Sequence, residues 1–436
     1  MKRSKRAKVK RYVSIVMSAI IGMQLFIHSP EAALADEPAE ISLDVKSAVL
    51  MDAESGQILY ELNADAALPP ASMTKMMTEY IVMEHIKSGK LKWDEPVTTS
   101  KYASEVPGSG DLLANGEQLP VRKMFQAMSI YSGNDASVAL AERIGGTEED
   151  FAKLMNEKAK KLGMTTAHFA SATGLNHNDL KDLSGAPVFD AGGETVMSAK
   201  DAAILAYRIV KDHPEVLEYA KIPSLKLRDR DKSPMINWNW MLEGNSTSIN
   251  FKKYAYPGLD GLKTGHTDEA GYCFAGTAVR NGMRLISVVM GVKTEPKRFE
   301  ETRKLLDYGF NNFEPRTIVS AKNEIESMKS VELRKGVRTS VPVVTESGLT
   351  LVVKKGTADE QFVQKTEVTE QDKRIAPVKQ GDRMGTLTVT YNGNDHIINL
   401  VAAEDVGKGS WIRLLFRAVK NFHVGLYNGI VHLFHK

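Results

Sequence analysis

Ser72 and Lys75 stand three residues apart in Pro69-Pro70-Ala71-Ser72-Met73-Thr74-Lys75-Met76-Met77-Thr78-Glu79, a proline-bounded helix start. Three residues are about one helical turn, so the hydroxyl and the amine fall on the same face. An amine buried deeply enough to lose its proton can take the hydroxyl's proton and make Ser72 a nucleophile without a histidine. A serine at a helix N-terminus also gains from the exposed backbone amides there, which favour the negative charge that develops during acyl transfer. Alone, the pair is a short pattern that arises by chance, and a serine after two prolines is commonly an N-cap. The chemistry therefore needs partners, and two further polar groupings stand downstream: Ser132-Gly133-Asn134 and Lys263-Thr264-Gly265.

The elements that must position these residues follow from the patterning. Ala48 to Met51 and Ile58 to Tyr60 are short apolar runs around Glu54-Ser55-Gly56, a hairpin pattern leading into the helix of Ser72. That helix carries Met73, Met76, Met77, Tyr80 and Ile81 at helical spacing, which predicts one buried face. Helices are expected from Val121 to Ser129, from Ala136 to Ile144, and from Thr147 to Leu162 with Phe151, Leu154, Met155 and Leu162 on one face. Ser132-Gly133-Asn134 falls between the first two of these helices. Ser198 to Asp201 reads as a capping box for a helix ending before Pro214. Strands return at Leu262 to Thr267, which carries Lys263, at Tyr272 to Val279, and at Met283 to Val292 after the turn signal Asn281-Gly282. Phe299, Leu305 and Leu306 mark a closing helix. Strands at both ends with helices between predict an α+β domain, an antiparallel sheet covered by helices with a helical insertion.

From about Arg316 short alternating runs are broken at Lys335-Gly336, Ser347-Gly348, Lys355-Gly356, Gln380-Gly381 and Asn392-Gly393, which predicts an all-β domain. The stretch from Gly407 to Lys436 places Trp411, Leu415, Ala418, Phe422 and Leu426 at helical spacing, with Arg413, Arg417 and Lys420 on the other side. This is an amphipathic basic helix, suited to lie in an anionic membrane interface. At the other end, Lys2 to Arg11 is basic, Tyr12 to Ile27 is apolar, and Ala33-Leu34-Ala35 precedes Asp36, the three parts of an export signal. The boundaries expected are 1–35 signal peptide, 36–314 first domain, 315–406 all-β domain and 407–436 anchor.

Charge follows the same division. Removing the seven basic residues and one acid of residues 1–35 turns the net charge from +3 to −3, and the tail holds five basic residues and no acid. Nothing in that balance points to nucleic acid, while a basic tail on an acidic body is drawn to anionic lipid. The single cysteine, Cys273, allows no intramolecular disulfide and reads as a small buried residue in a strand. The histidines show no metal-ligand spacing, and no cofactor is implied.

In this order along the chain, Ser-x-x-Lys, Ser-x-Asn and Lys-Thr-Gly mark penicillin-binding proteins and class A β-lactamases. With Ser132-Gly133-Asn134-Asp135-Ala136, the Thr173-Gly174-Leu175 loop, Asp260 to Thr267, the β domain and the tail, the sequence resembles the low-molecular-weight penicillin-binding proteins, the D-alanyl-D-alanine carboxypeptidases, from about residue 40 to the end. The resemblance implies a β-lactamase/transpeptidase-like catalytic domain, a β-sandwich stalk and an interfacial anchor on the outer face of the bacterial cytoplasmic membrane. It implies Ser72 attacking the bond between two terminal D-alanines, with Lys75 as base and Ser132 relaying a proton to the departing amine. Asn134 would hold the substrate amide or Lys75, and Lys263 and Thr264 would grip the terminal carboxylate. Gly265 would let the strand approach the substrate, and the backbone amides of Ser72 and His266 would hold the oxyanion.

The partners expected are peptidoglycan stem peptides, β-lactam antibiotics as inhibitors, and an anionic membrane surface. Two other readings are a class A-like β-lactamase and a peptidoglycan-binding protein without catalysis. Lys158 to Asn178 contains no carboxylate to serve as the deacylating base of a β-lactamase, and a pure binding protein needs no lysine-activated serine.

Overall fold

The computed structural model describes residues 41–110, 112–184, 186, 193–247 and 250–434. The expected signal peptide lies outside these residues. The first hairpin pairs β1 (Ser47–Asp52) with β2 (Ile58–Leu62). After the long helical insertion, β3 (Leu259–Thr267), β4 (Gly271–Arg280) and β5 (Met283–Val292) complete one antiparallel sheet in the order β2-β1-β5-β4-β3. Asn281 and Gly282, at φ 51 and 79, form the left-handed two-residue turn that suits the twist of the β4-β5 hairpin. The two ends of the domain thus build one sheet, and the Lys-Thr-Gly strand is its edge.

The helices are α1 (Lys75–Lys87), α2 (Lys101–Glu105), α3 (Val121–Tyr131), α4 (Asn134–Gly145), α5 (Glu148–Leu162), α6 (Ala199–Asp212) and α7 (Glu295–Asn312). Val49, Met51, Ile286 and Val288 join the large core shared with α1, α3, α4 and α6. Alternation sends Leu50 and Leu285 to the opposite face, where α7 comes so close that a Cβ on Gly309 would lie 2.5 Å from Leu285.

Three expectations need correction. Helix α1 does not bury a single face: every residue from Lys75 to Met83 is buried. Its methionines meet core on one side, and its polar residues Lys75, Thr78 and Glu79 meet other protein rather than water. In α5, Phe151, Met155 and Ala159 form the buried stripe, whereas Leu154 is exposed. At α6 the capping box is only half made. Ser198 accepts from the Asp201 amide, but the Asp201 carboxylate turns away to the amides of Thr165 and Thr166, and the Thr166 hydroxyl takes the Ser198 amide instead.

The all-β region contains β6 (Phe313–Val319), β7 (Ser330–Glu332), β8 (Ser340–Thr345), β9 (Leu349–Lys354), β10 (Val363–Val368), β11 (Arg383–Tyr391) and β12 (Asn394–Ala402). They form a β6-β9 ribbon and a five-stranded sheet ordered β7-β8-β12-β11-β10. Val319, Leu351 and Val353 of the ribbon bury against Leu387, Val389 and Leu400 of the sheet, which makes a sandwich. The last described element is α8 (Trp411–Phe434), whose Trp411, Phe416 and Phe422 are exposed.

Candidate active site

Ser72 lies in a single 3-10 turn, Ala71–Thr74, that feeds directly into α1. Ala71 immediately before it sits at φ 49, a left-handed conformation that is strained for a residue with a Cβ. What holds the strain is the loop from Ser171 to Gly174. A Cβ on Gly174, itself at φ 81, would lie 2.1 Å from the Ala71 carbonyl oxygen, so only glycine allows this approach. Gly174→Ala is expected to cost at least about 2 kcal/mol and to dislodge the serine turn. A lower urea midpoint together with slower acylation by penicillin would show it, and an unchanged midpoint would contradict it.

Lys75 is fully buried behind the serine. Its Nζ lies 2.7 Å from Ser72 Oγ, 2.7 Å from Asn134 Oδ1 and 3.4 Å from the Thr173 carbonyl oxygen. Asn134 presents its oxygen because its amide nitrogen is occupied in donating to the Pro107 carbonyl. Two of the three neighbours of Nζ can only accept. A neutral amine has two N–H groups for them and one lone pair, which then faces the Ser72 hydroxyl. Burial pushes the Lys75 pKa well below the ordinary lysine value, and the positive charge of Lys263 adds to this; Asp135, Glu79 and Glu148 push back. The geometry and the electrostatics both favour the form that can accept the serine's proton.

In front of Ser72 opens a cleft of about 240 Å³ lined by Ser132, Trp238, Thr264, Gly265, His266 and Arg298 among others. Ser132 ends α3 in a left-handed conformation, φ 67, and its buried Oγ has no hydrogen-bond partner among the described residues. On the opposite wall, β3 runs so close to the serine turn that a Cβ on Gly265 would lie 2.5 Å from the Pro70 carbonyl oxygen and 3.3 Å from the Ser72 amide nitrogen. The His266 ring stacks on Tyr272 at 4.1 Å, so the side chain serves the strand's packing.

The expected residues come together with one difference. Lys263 is buried beneath β3, where its Nζ donates to the Thr264 carbonyl, and it does not line the cleft. Burial lowers its pKa and the Glu79 carboxylate supports its charge. The cation on the cleft wall is Arg298 of α7, which donates to the Gly265 carbonyl at 3.3 Å and to Glu295 at 2.9 Å. Burial lowers its pKa to about 10, so it stays charged at neutral pH. The sequence reading missed Arg298. Its spacing with Glu301, Thr302 and Leu305, all on the buried face of α7, was the available signal.

Glu148 was missed as well. Its buried carboxylate accepts from the Ala172 amide at 2.7 Å and from the Tyr102 hydroxyl, while Thr78 donates to the Ala172 carbonyl at 2.9 Å. These bonds fix the loop whose next carbonyl, that of Thr173, meets Lys75. Burial raises the Glu148 pKa to about 7, with the neighbouring Glu142 pushing the same way and Tyr102, Ala172 and Lys75 opposing. Above that pH its negative charge supports a proton on Lys75. Glu148→Gln keeps an acceptor for Ala172 but removes the charge, so the rising acid limb of the acylation rate should move to lower pH. A pH profile of penicillin acylation measures this; a loss of rate with no shift would assign Glu148 to structure alone.

Comparison with known proteins agrees with this arrangement. A family described as D-alanyl-D-alanine carboxypeptidase matches residues 32–294, and the C-terminal domain of penicillin-binding protein 5 matches residues 313–408. The chain is similar to the D-alanyl-D-alanine carboxypeptidase DacF of Bacillus subtilis, 33% identical over 409 residues, covering 93% of this chain and 97% of that protein. It is 33% identical over 410 residues to DacC of Escherichia coli, covering 92% and 94%. Among solved structures, the peptidoglycan synthesis regulatory factor PBP3 of Streptococcus pneumoniae aligns with a TM-score of 0.73 at 30% identity, over 84% of this chain and 100% of that one. The ampicillin-bound penicillin-binding protein D2 of Listeria monocytogenes aligns with a TM-score of 0.50 at 36% identity, over 62% of this chain and 99% of that one.

Proposed function

The chain belongs to the D-alanyl-D-alanine carboxypeptidase family and is a serine-type peptidase of that activity, and from this premise we propose that its acyl-enzyme forms on Ser72. The observation that carries the assignment is the Ser72 hydroxyl, open to the cleft and 2.7 Å from a wholly buried lysine amine. Lys75 takes the hydroxyl's proton as Ser72 attacks the carbonyl between the two terminal D-alanines. The amides of Ser72 and His266 hold the developing oxyanion where β3 approaches the serine turn. Lys75 hands the proton it took from Ser72 on to Ser132 as the unengaged Ser132 hydroxyl on the cleft gives its own proton to the departing D-alanine nitrogen, so the proton leaves with the amine. Asn134 keeps Lys75 aimed at Ser72, and Thr264 with Arg298 receives the terminal carboxylate while Lys263 adds positive potential from behind. Gly265 keeps the wall free of a side chain. Water then releases the shortened peptide.

The substrate is the stem peptide of peptidoglycan, which lies outside the cytoplasm. The proposed order is an export signal at 1–35, the catalytic domain at 36–314, the β-sandwich at 315–406 and an interfacial anchor at 407–436. No described helix is long and apolar enough to cross a membrane. The outward aromatic face of α8 supports attachment at the outer surface of the cytoplasmic membrane.

β-Lactams enter the same cleft and acylate Ser72, as the ampicillin-bound Listeria relative supports. The adduct should persist. Glu148, the carboxylate bound to the loop after the Ser-x-Asn motif, is committed to Ala172 and Tyr102 and does not line the cleft, so it cannot activate water for the ester. The test incubates the purified chain with a peptide ending in D-Ala-D-Ala and, separately, with labelled penicillin. Catalytic release of D-alanine alongside a label that survives gel filtration is expected. Rapid hydrolysis of penicillin would favour the β-lactamase reading, and neither reaction would leave a binding protein.

A further inference from the structure

A second cavity, of about 810 Å³, lies between the β-sandwich and α8, far along the chain from any residue of the catalytic cleft. Arg334, Lys335, Arg374 and Arg417 line it, with Glu332 as the one carboxylate among its lining residues. Like charges do not gather by accident of long flexible side chains here, because the backbone brings them together. The Arg334 amide donates to the Arg374 carbonyl at 2.9 Å, and the Lys335 carbonyl accepts from Gly409 at 2.8 Å, just before α8. The Arg417 guanidinium is tied to the Gly336 carbonyl at 3.1 Å. None of the four cations forms an ion pair among the described residues, whereas Arg338 nearby is paired with Glu404. The Arg374 Nε is buried and has no hydrogen-bond partner among the described residues. Hydroxyl and amide groups of Ser330, Ser340 and Asn421 complete a donor-rich lining.

The position of the cavity identifies the anion. Along α8, Leu414, Arg417, Ala418 and Asn421 face the cavity, Ala418 lining it with Arg417 rather than standing on the other side of the helix from it, and Trp411, Leu415, Val419 and Phe422 lie exposed on the flank about a quarter-turn round the helix. A helix whose apolar side enters the interface has its polar side at the level of the lipid phosphates. The cluster of unpaired cations therefore opens at the depth where phosphodiesters are found.

We propose that this cavity binds the phosphodiester headgroup of an anionic phospholipid, fastening the β-sandwich and the anchor helix together on the membrane. The proposal rests on reading α8 as an interfacial helix. One headgroup in the cavity would fix the angle between anchor and stalk, and hence the height and direction of the catalytic cleft above the membrane.

The experiment measures flotation of the purified chain with vesicles of phosphatidylcholine, with and without phosphatidylglycerol. Arg334→Gln/Arg374→Gln is compared with Lys408→Gln/Lys420→Gln, which removes the same charge close to α8 but outside the cavity. A basic residue near an anionic surface contributes about fivefold to binding, so diffuse attraction alone should cost each pair up to about 25-fold. The cavity pair is expected to lose at least about tenfold more than the control pair on phosphatidylglycerol vesicles, and nothing on phosphatidylcholine alone. Labelling of Ser72 by penicillin verifies that both variants are folded. Equal losses in the two pairs would overturn the site and leave the interfacial helix intact. Absence of binding to either vesicle by the unaltered chain would overturn the reading of α8 and the site with it. In a second arm, dihexanoyl phosphatidylglycerol below its micelle concentration should saturate the cavity, as followed by NMR, at concentrations where inorganic phosphate does not. Equal saturation by inorganic phosphate would overturn the lipid assignment.

Discussion

Ser72→Ala should reduce D-alanine release about a millionfold and abolish covalent attachment of penicillin, while the protein stays folded. The size of the effect follows from the absence of a substitute. Ser132 has a hydroxyl on the same cleft, but among the described residues it has no hydrogen-bond partner to deprotonate it, and the Lys75 amine is directed at Ser72. Ser72 itself contributes little to the core, because among the described residues its hydroxyl bonds only with Lys75 and otherwise faces the cleft. Rate and stability should therefore separate, with a normal urea midpoint and almost no turnover. A variant that kept one part in a hundred of the activity would place the nucleophile elsewhere.

Lys75→Met should slow acylation by about three to four orders of magnitude. The loss should be much the same for a D-Ala-D-Ala peptide and for penicillin, because both reactions begin with removal of the same proton. Lys75→Arg should be no better. A guanidinium does not lose its proton at any accessible pH, and its planar group cannot present a lone pair to the hydroxyl. In the unaltered chain the sign of the pH dependence is fixed by the form required. Lys75 acts when neutral, so the acylation rate climbs with pH, and burial places that climb at lower pH than an ordinary lysine would. Stopped-flow acylation across pH measures it. A rate that falls as pH rises through the neutral range would contradict Lys75 as the base.

These residues could be read from the sequence because the chemistry that unites them leaves short, rigid signatures. Ser72 and Lys75 share one turn. Ser132 and Asn134 straddle the junction of two helices, and Lys263, Thr264 and Gly265 are consecutive on one strand. The sheet was legible for a similar reason, since Asn281-Gly282 permits little besides a tight hairpin. What the sequence hid was long-range. Glu148 looks like an ordinary acid in the first turn of a helix, and its role arises only when the loop at Ala172 folds back onto it. The burial of α1 on all sides was hidden because Thr78 and Glu79 give no sign in the sequence of the neighbouring elements that cover them. Arg298 was passed over because its helical spacing with Leu305 was the single sign that its guanidinium points inward, and the charged residues around it in α7 masked that spacing. In each case the missing information was a tertiary contact that turns a polar residue from a surface feature into part of the site.

One lysine-activated serine carries the reaction, and locating the covalent bond tests this most directly. The purified chain would be trapped with benzylpenicillin, digested, and its adduct mapped by mass spectrometry, with residual D-alanine release measured on the same samples. A single adduct on Ser72 is expected, with a loss of D-alanine release in proportion to its occupancy. An adduct on another residue, or D-alanine release that continues when Ser72 is fully occupied, would contradict it.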